Sequence, residues 1–477
     1  MKTTSRAPST WWSKAIAVFL LLLGIAALRD LARLKADLPW NVAYDLPEFY
    51  CAGQVLDSGH DPYRYEPMRT CEHRVVTSPS FRANPAMAMP APQPPYDFPA
   101  LMALAIVSYP VARALWSLAI VAALTLASFA LWRLGLPLGA VLAALILSAG
   151  FEEIDAGQVV PFAFVALAVC GWMLAGRRDA WAGVFAAATA IEPHLGTPVI
   201  LATLLFVPRA RASALAVLAF FAITAWLAVG PSASAVYLTQ VVPAQAGAEL
   251  VFPLQFSLSY ALHFFGASNG VALGAGFASF AVLTLAGLVM APRLSERLRR
   301  RELLVFFPAA TAVMGGVFVH VVEMCFAIPA ALTFALYAPG WWRRLAIVAT
   351  AVLAVPWVLV AGIKKLWLAS VFVVTACAYC LRAGVWTTVA MVFAFAGGIY
   401  WLELNPPQLP HPAPLAVGAF APNSLLQIEW HAVIAGLETH QPLWLISKLP
   451  VWCALMAVFA IGVRIAYGRT FQSQPLP

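Results

Sequence analysis

Charged side chains are scarce in this chain. Asp, Glu, Lys and Arg make up 10% of its 477 residues, whereas soluble domains carry about 25%. Apolar residues make up 62%, and the mean hydropathy is +0.82. Many windows of about 20 residues contain no charge, which is the length that a helix needs to cross hydrocarbon. This composition excludes a soluble globular protein, because a chain so apolar must face lipid.

Nucleotide-binding and metal-binding signatures are also missing. No glycine-rich loop follows a predicted strand, so nothing indicates a nucleotide ligand. Cys377 and Cys380 form a CxxC inside an apolar segment with no second pair and no ligand histidine nearby, so we expect no metal and no cofactor. Cys51 and Cys71 share one polar loop, where either a disulfide or two free thiols would fit.

The positive charges mark one side of the membrane. The net charge of +8 is concentrated in short turns between apolar segments, which argues against nucleic-acid binding. These turns contain Arg177 and Arg178, Arg209 and Arg211, Arg297 to Arg301, and Arg343 and Arg344. Placing them in the cytoplasm leaves only Asp179, Glu296 and Glu302 of the 21 acids on that side.

The apolar segments predict an all-α polytopic membrane protein with about 13 spanning helices and several short re-entrant or interfacial helices. The first helix is expected at 12–29 and to remain uncleaved, because no small-residue cleavage site follows it. An extracytoplasmic loop follows at 30–97, and then a short helix at 100–110. Two short helices, at 180–191 and 194–207, fit between basic turns, and such broken helices are tolerated where they line a cavity.

The second half of the chain continues the pattern. We expect a polar outer stretch at about 231–269 and another outer loop at 403–447. Residues 1–340 are interpreted as one membrane core and residues 341–477 as additional C-terminal helices.

Acidic residues are concentrated in the first outer loop. Nine of the 21 acids lie between Asp30 and Asp97, and the segment 45–67 is also rich in aromatic and turn residues. Asp45 and Glu48 have the spacing of a helix N-terminal cap, which is the structural alternative to a chemical role.

Other candidate residues have structural alternatives too. Asp61 precedes Pro62 and Tyr63, a pattern typical of a turn. His320 lies on an apolar helix, where a histidine is often simply packed, and Glu323 lies one turn further on the same face. A carboxylate at membrane depth is costly, so Glu192 indicates a role.

Seven short segments have the order of motifs in a known family. They are DLPEFYCAG (45–53), GHDPY (59–63), YDFPAL (96–101), GQVV (157–160), AGVFAAATAIEPH (182–194), LQFSL (254–258) and His320. This order resembles the polyprenol-phosphate-mannose-dependent mannosyltransferases, polytopic enzymes of the C-type glycosyltransferase fold, over roughly residues 10–340. The chain departs from the family at Glu192, where a Lys is usual, and at Val160, where an Asn is usual.

The resemblance implies an extracytoplasmic, inverting, metal-independent transfer of a hexose, most simply mannose, from a polyprenyl-phosphate sugar to a glycan or glycolipid. Asp45 then matches the general base, with Glu48 as second choice. The residues expected to bind substrate are His320, Glu323, His194, Glu192, Tyr50, Asp61, Tyr63 and Gln158. The implied location is a bacterial-type plasma membrane. A lipid or glycolipid transporter, or an inactive member of the family, remains an alternative, and the oligomeric state is open.

Overall fold

The computed structural model describes residues 45–76, 79–145, 156–357, 370–371, 373–375, 377–378, 381–405, 415–416 and 418–468. Within these ranges the chain is all-α: it contains no strand, and its one β-bridge joins Arg64 to Leu425. The predicted first helix at 12–29 lies outside the described residues.

The described helices are numbered here in chain order. The first ten are α1 (Leu46–Asp57), α2 (Tyr65–Val75), α3 (Pro79–Arg82), α4 (Phe98–Ala105), α5 (Tyr109–Arg133), α6 (Leu138–Leu145), α7 (Val160–Ala175), α8 (Asp179–Ala188), α9 (Pro193–Phe206) and α10 (Arg211–Val236). The second ten are α11 (Val242–Glu249), α12 (Leu258–Phe264), α13 (Asn269–Leu298), α14 (Leu303–Gly315), α15 (Ile328–Tyr337), α16 (Gly340–Leu353), α17 (Val385–Leu404), α18 (Leu426–Ala435), α19 (Pro442–Ile446) and α20 (Leu449–Tyr467).

Five helical stretches among the described residues are long and apolar enough to cross a membrane. They are Tyr109–Arg133, Pro208–Glu249, Asn269–Leu298, Val385–Leu402 and Pro442–Tyr467. Shorter apolar helices of 10–17 residues accompany them, including α7, α9 and α14. The chain is thus a helical protein of the membrane type that the composition predicts, and the figure of about 13 spans stays a prediction.

The short helix and the broken pair have the expected positions. The predicted helix at 100–110 corresponds to α4, which ends at Ala105, and α5 begins at Tyr109 with Pro110 in its first turn. The pair at 180–191 and 194–207 corresponds to α8, extended by a 3-10 turn over Thr189–Ile191, and α9. The turn between them is tight, because a Cβ at Gly196 would stand 2.3 Å from the Thr189 carbonyl oxygen.

The expected polar outer stretch at 231–269 is helical over its first half, and its place outside the membrane stays a prediction. Helix α10 bends at Gly230, whose φ is 78°, and continues through Val236 into a π-helical turn over Tyr237–Val241 and then α11. Glycine adopts this φ without a Cβ clash, and Pro231 then lies where a new helix starts, so the bend does not end the helical run.

The helices pack around one large apolar core. Helix α13 packs lengthwise on α14, and α20 packs against α13, α14 and α16. The C-terminal helices therefore share the core of the earlier ones, and the proposed division at residue 340 stays a prediction.

A second, smaller apolar cluster lies in the segment predicted to form the first outer loop. It joins α1, α2 and α4 to the π-helical turn and to Leu425 and Leu426. Helix α1 lies against α4 so closely that a Cβ at Gly53 would be 2.2 Å from the Leu101 carbonyl oxygen. A Cys51–Cys71 disulfide joins α1 to α2, so of the two open alternatives the structure has the bonded one.

Arginines at the end of α13 hold the ends of three other helices. Arg300 donates to the Leu134 carbonyl after α5, at 2.6 Å, and Arg301 donates to the Leu174 carbonyl of α7, at 3.1 Å. Arg297 donates to the carbonyls of Ile465 and Gly468 at the end of α20. Cations are favourable at helix C-termini, where backbone carbonyls lack helical partners.

Candidate functional site

Asp45 stands immediately before α1 and is held from another part of the chain. Its backbone N–H donates to the Ala156 carbonyl at 2.9 Å, and Gln158 Nε2 donates to Asp45 Oδ2. The Asp45 side chain makes no capping bond to α1. The N-terminal-cap interpretation is therefore wrong in this structure, and the carboxylate is directed to the Gly-Gln segment instead.

The Gly-Gln segment is itself fixed by local geometry. Gly157 has φ 77°, a conformation that favours glycine, and Trp116 Nε1 donates to its carbonyl at 2.6 Å. Two motifs separated by 113 residues thus meet at one carboxylate–amide contact.

Glu48 lies one turn into α1 and is 8% exposed. Burial raises the pKa of Glu48 well above its usual range, and the charges of Asp45, Glu72 and Glu249 raise that pKa further. The neutral carboxylic acid is then favoured, which donates a proton more readily than it accepts one. Of the two acids expected as base, Asp45 is therefore the better suited.

Five residues form an alternating row of carboxylates and imidazoles. His194 Nδ1 lies 3.6 Å from Glu192 Oε2, and His194 Nε2 lies 3.2 Å from Glu323 Oε2. His320 Nδ1 lies 3.4 Å from Glu323 Oε1, and His320 Nε2 lies 3.2 Å from Glu249 Oε2. The structure therefore brings together four of the predicted residues, with Glu249 as a fifth member.

Two glutamines complete one end of this row. Gln255 Nε2 donates to Glu249 Oε2 at 2.7 Å and lies 2.7 Å from His320 Nε2, while Gln255 Oε1 accepts from the Val319 N–H. Gln245 Nε2 donates to Glu249 Oε1 at 2.8 Å. Gln255 belongs to the LQFSL segment, so that segment and His320 also meet in space.

The loop that carries Gln255 is anchored by Lys448. This lysine is fully buried, and its Nζ donates to the carbonyls of Pro253 and Trp444. Its Nζ also lies 4.5 Å from the ring centroid of Tyr260, within the range of a cation–π interaction. The C-terminal part of the chain therefore positions a residue of the site.

The protonation preferences follow from these neighbours. Burial opposes a charge on His320, but the carboxylates of Glu249 and Glu323 outweigh burial and raise the pKa of His320 well above its usual range. In the turn between α8 and α9, burial raises the pKa of Glu192 to about 7. Burial, together with the charge of Glu192, also raises the pKa of Asp97. Burial opposes a charge on Glu323, but His194 and His320 outweigh it and lower the pKa of Glu323 to about 2. The site thus favours an imidazolium beside the ionised Glu323, whereas Glu192 and Asp97 hold a proton more readily than usual.

The aromatic candidates are packed near these groups. Tyr63 stacks on Tyr237 with ring centroids 5.9 Å apart, and its hydroxyl donates to the Gln93 carbonyl. The Tyr50 hydroxyl donates to the Val107 carbonyl at 2.9 Å. Both hydroxyls have backbone partners, and the expected sugar contacts of the two rings stay predictions.

Asp61 forms a turn. Its Oδ1 accepts from the Tyr63 N–H and its Oδ2 accepts from Arg64 Nε, both at 2.9 Å. These bonds account for the DPY sequence, and the expected substrate contact of Asp61 stays a prediction.

Sequence reasoning missed Glu249, Gln255, Gln245 and Asp97 as members of the site. Glu249 had a usable signal, because it is a single carboxylate in an otherwise apolar stretch, and such residues are costly without a function. The two glutamines had no such signal in the sequence, since a neutral amide is common in any polar turn.

Within the described ranges, no three His, Cys, Asp or Glu side chains are arranged to hold a metal ion. Comparisons of the chain with known protein families, with curated proteins and with solved structures find no match.

Proposed function

We propose that this chain is an integral membrane hexosyltransferase that uses a polyprenyl-phosphate sugar, most simply the mannose derivative. The acceptor is a glycan or glycolipid on the extracytoplasmic side of a bacterial-type plasma membrane. The proposed architecture is that of the C-type glycosyltransferases, with about 13 spans. The fold class supports the membrane part of this proposal, and the site supports the chemistry.

The observation that carries the proposal is the meeting of motif segments that are far apart in the sequence. Gln158 of GQVV contacts Asp45 of DLPEFYCAG. Tyr96 of YDFPAL donates to the Ala190 carbonyl, in the segment that ends at His194, at 2.6 Å. Together with the contact between Gln255 and His320, these pairs join six of the seven resembling segments in three contacts. A chance similarity of scattered short motifs does not require them to touch.

The residues fit a single displacement. The acceptor hydroxyl oxygen bonds to the anomeric carbon while the bond from that carbon to the phosphate oxygen breaks. Asp45 accepts the hydroxyl proton, and the polyprenyl phosphate leaves with the bonding electron pair. Attack from the side opposite the leaving group inverts the anomeric configuration. General-base assistance of this kind contributes about 10²–10⁴-fold in rate.

The leaving phosphate needs positive charge beside it. The resembled family has a Lys where this chain has Glu192, so that residue is not available here. We assign the role to His194 and His320, which lie in the same row. Glu192 and Glu323 then orient the imidazoles, and Glu192 itself is a positioning residue.

The membrane orientation is proposed from two independent features. The Cys51–Cys71 disulfide near Asp45 and Glu48 suits an oxidising extracytoplasmic compartment. The arginine-rich turn at 297–301 lies at the other end of α14 from His320, as the excess of basic residues on the cytoplasmic side requires.

The test is transfer of labelled mannose from polyprenyl-phosphate-mannose by membranes that contain the wild type or Asp45→Asn. We expect a rate loss of about 10²–10⁴-fold in Asp45→Asn. The matched control is Asp57→Asn, an exposed acid at the last residue of α1, which should keep the wild-type rate. Full transfer by Asp45→Asn would refute the base assignment. Lipid movement across liposomes without a new glycosidic bond would establish a transporter, and no transfer by the wild type with any acceptor would establish an inactive member.

A further inference from the structure

Helix α18 contains a buried glutamine with no hydrogen bond. Gln427 is 0% exposed, and neither its Oε1 nor its Nε2 has a hydrogen-bond partner among the residues that the structure describes. A buried polar atom left unpaired costs about 1–3 kcal/mol, and native structures contain few of them. A side chain with both amide atoms unpaired is therefore a candidate for binding a ligand.

Gln427 lies on the face of α18 that meets α11. The two helices pack against each other, and His431, one turn after Gln427, has its Nδ1 3.7 Å from where a Cβ of Gly247 would stand. Gln245 precedes Gly247 on α11, is 9% exposed, and also has an unpaired Oε1, while its Nε2 donates to Glu249. The unpaired amide atoms thus belong to α11, which carries Glu249 of the alternating row of carboxylates and imidazoles, and to α18, which packs against α11.

The start of α18 is fixed to the first outer loop. The Leu426 N–H donates to the Tyr63 carbonyl at 2.9 Å, and the Tyr65 N–H donates to the Ser424 carbonyl at 3.1 Å. The position of Gln427 is therefore set by the same loop that carries Asp45.

The chemistry of the surroundings selects the class of ligand. An amide oxygen accepts and an amide N–H donates, and a hydroxyl group satisfies both. Gln245 and Gln427 offer neutral amides, and Gln245 is bonded to the carboxyl group of Glu249, so these side chains supply no positive charge for the phosphate of a donor. Trp430, three residues after Gln427 and half-buried, offers an apolar ring on the same side of α18. These features fit a neutral sugar ring, with hydroxyls for the amides and C–H groups for the indole.

We propose that α11 and α18 form the subsite for a neutral, polyhydroxylated acceptor, bound by Gln427 and Gln245. This inference rests on the proposed function, because it assigns the acceptor of that transfer to these two helices. It also assigns a binding role to α18 (Leu426–Ala435), which lies within the predicted outer loop at 403–447.

The test measures sugar binding apart from transfer. Saturation-transfer NMR on the detergent-solubilised full chain uses an α-linked mannose disaccharide and maltose as probes. We expect at least one probe to bind the wild type, and Gln427→Leu to weaken that binding tenfold or more. The matched control is Gln240→Leu, the same change at an exposed position of the π-helical turn, which should bind like the wild type. Binding of polyprenyl-phosphate-mannose should differ by less than twofold among the three proteins.

A second variant distinguishes a loss of sugar binding from a loss of folding. Gln427→Asn keeps the amide but shortens the side chain, and we expect it to weaken sugar binding severalfold with donor binding intact. The inference is overturned if neither probe binds the wild type, or if folded Gln427→Leu or Gln427→Asn binds as the wild type does. Sugar binding without donor turnover would contradict the proposed function alone, whereas donor turnover without sugar binding would contradict the subsite alone.

Discussion

Replacing Glu192 by Gln tests the electrostatic description of the site. A carboxyl whose pKa stands at about 7 in the folded protein, against a usual 4.5, is charged at a cost of about 3 kcal/mol. The side chain of Glu192 is 15% exposed, so solvent screens little of this cost. The glutamine removes the charge and keeps nearly the same shape. The pKa of about 7 already includes the favourable charge of His194, whose Nδ1 lies 3.6 Å from Glu192 Oε2, so about 3 kcal/mol is the net cost.

The sign follows from proton binding. Between pH 4.5 and about 7, folded Glu192 keeps a proton that the unfolded chain has released, so wild-type stability falls as pH rises through this window. Below the window the penalty is absent, and above it the penalty is complete. We therefore expect Glu192→Gln to match the wild type at pH 4 and to be more stable at pH 8, by up to about 3 kcal/mol.

Unfolding of the purified protein in detergent, followed by tryptophan fluorescence from pH 4 to pH 8, measures this difference. Asp57→Asn removes an exposed carboxylate and serves as the control, with a curve that should follow the wild type. If the curves of Glu192→Gln and the wild type are parallel over the whole range, Glu192 is charged without penalty and the burial argument is incorrect.

Two further predictions concern the positioning of Asp45 and the outer loop. Gln158→Leu removes a hydrogen bond to the Asp45 carboxylate. Because hydrogen bonds to charged groups contribute about 1.5–3 kcal/mol, we expect at least a tenfold lower transfer rate with unchanged donor binding. An unaltered rate would argue against a role for Gln158. Replacing both Cys51 and Cys71 by Ala removes a disulfide between residues 20 positions apart, and we expect the free energy of unfolding in denaturant titrations to fall by about 3 kcal/mol. An unchanged unfolding midpoint would show that the loop is stable without the disulfide.

Most helices could be predicted from the sequence, because the length of each apolar segment sets where a helix begins and ends. The short helix before Pro110 and the break at Glu192 follow from proline and from the small number of apolar residues between basic turns. The continuation of α10 beyond Gly230 was not predictable in the same way. Glycine followed by proline usually ends a helix, and here packing and the π-helical turn carry the chain on.

Several residues of the candidate site could be predicted from the sequence, but the contacts between them could not. Asp45, Gln158 and His320 were identified from short motifs, but nothing local to each motif indicates which loops meet. The contact between Gln158 and Asp45 depends on the folding of the chain between two positions that are 113 apart in the sequence. Gln427 illustrates the limit, because only its burial without a partner distinguishes it from any other glutamine in a polar loop.

The arginines at the end of α13 restrict where the protein can open. Arg297, Arg300 and Arg301 tie one end of α13 to the ends of α20, α5 and α7 through charged hydrogen bonds. Sliding any of these helices would break such a bond and leave a carbonyl unpaired. We therefore expect these helices to separate at their opposite ends, with the arginine-tied ends acting as the fixed point of the movement.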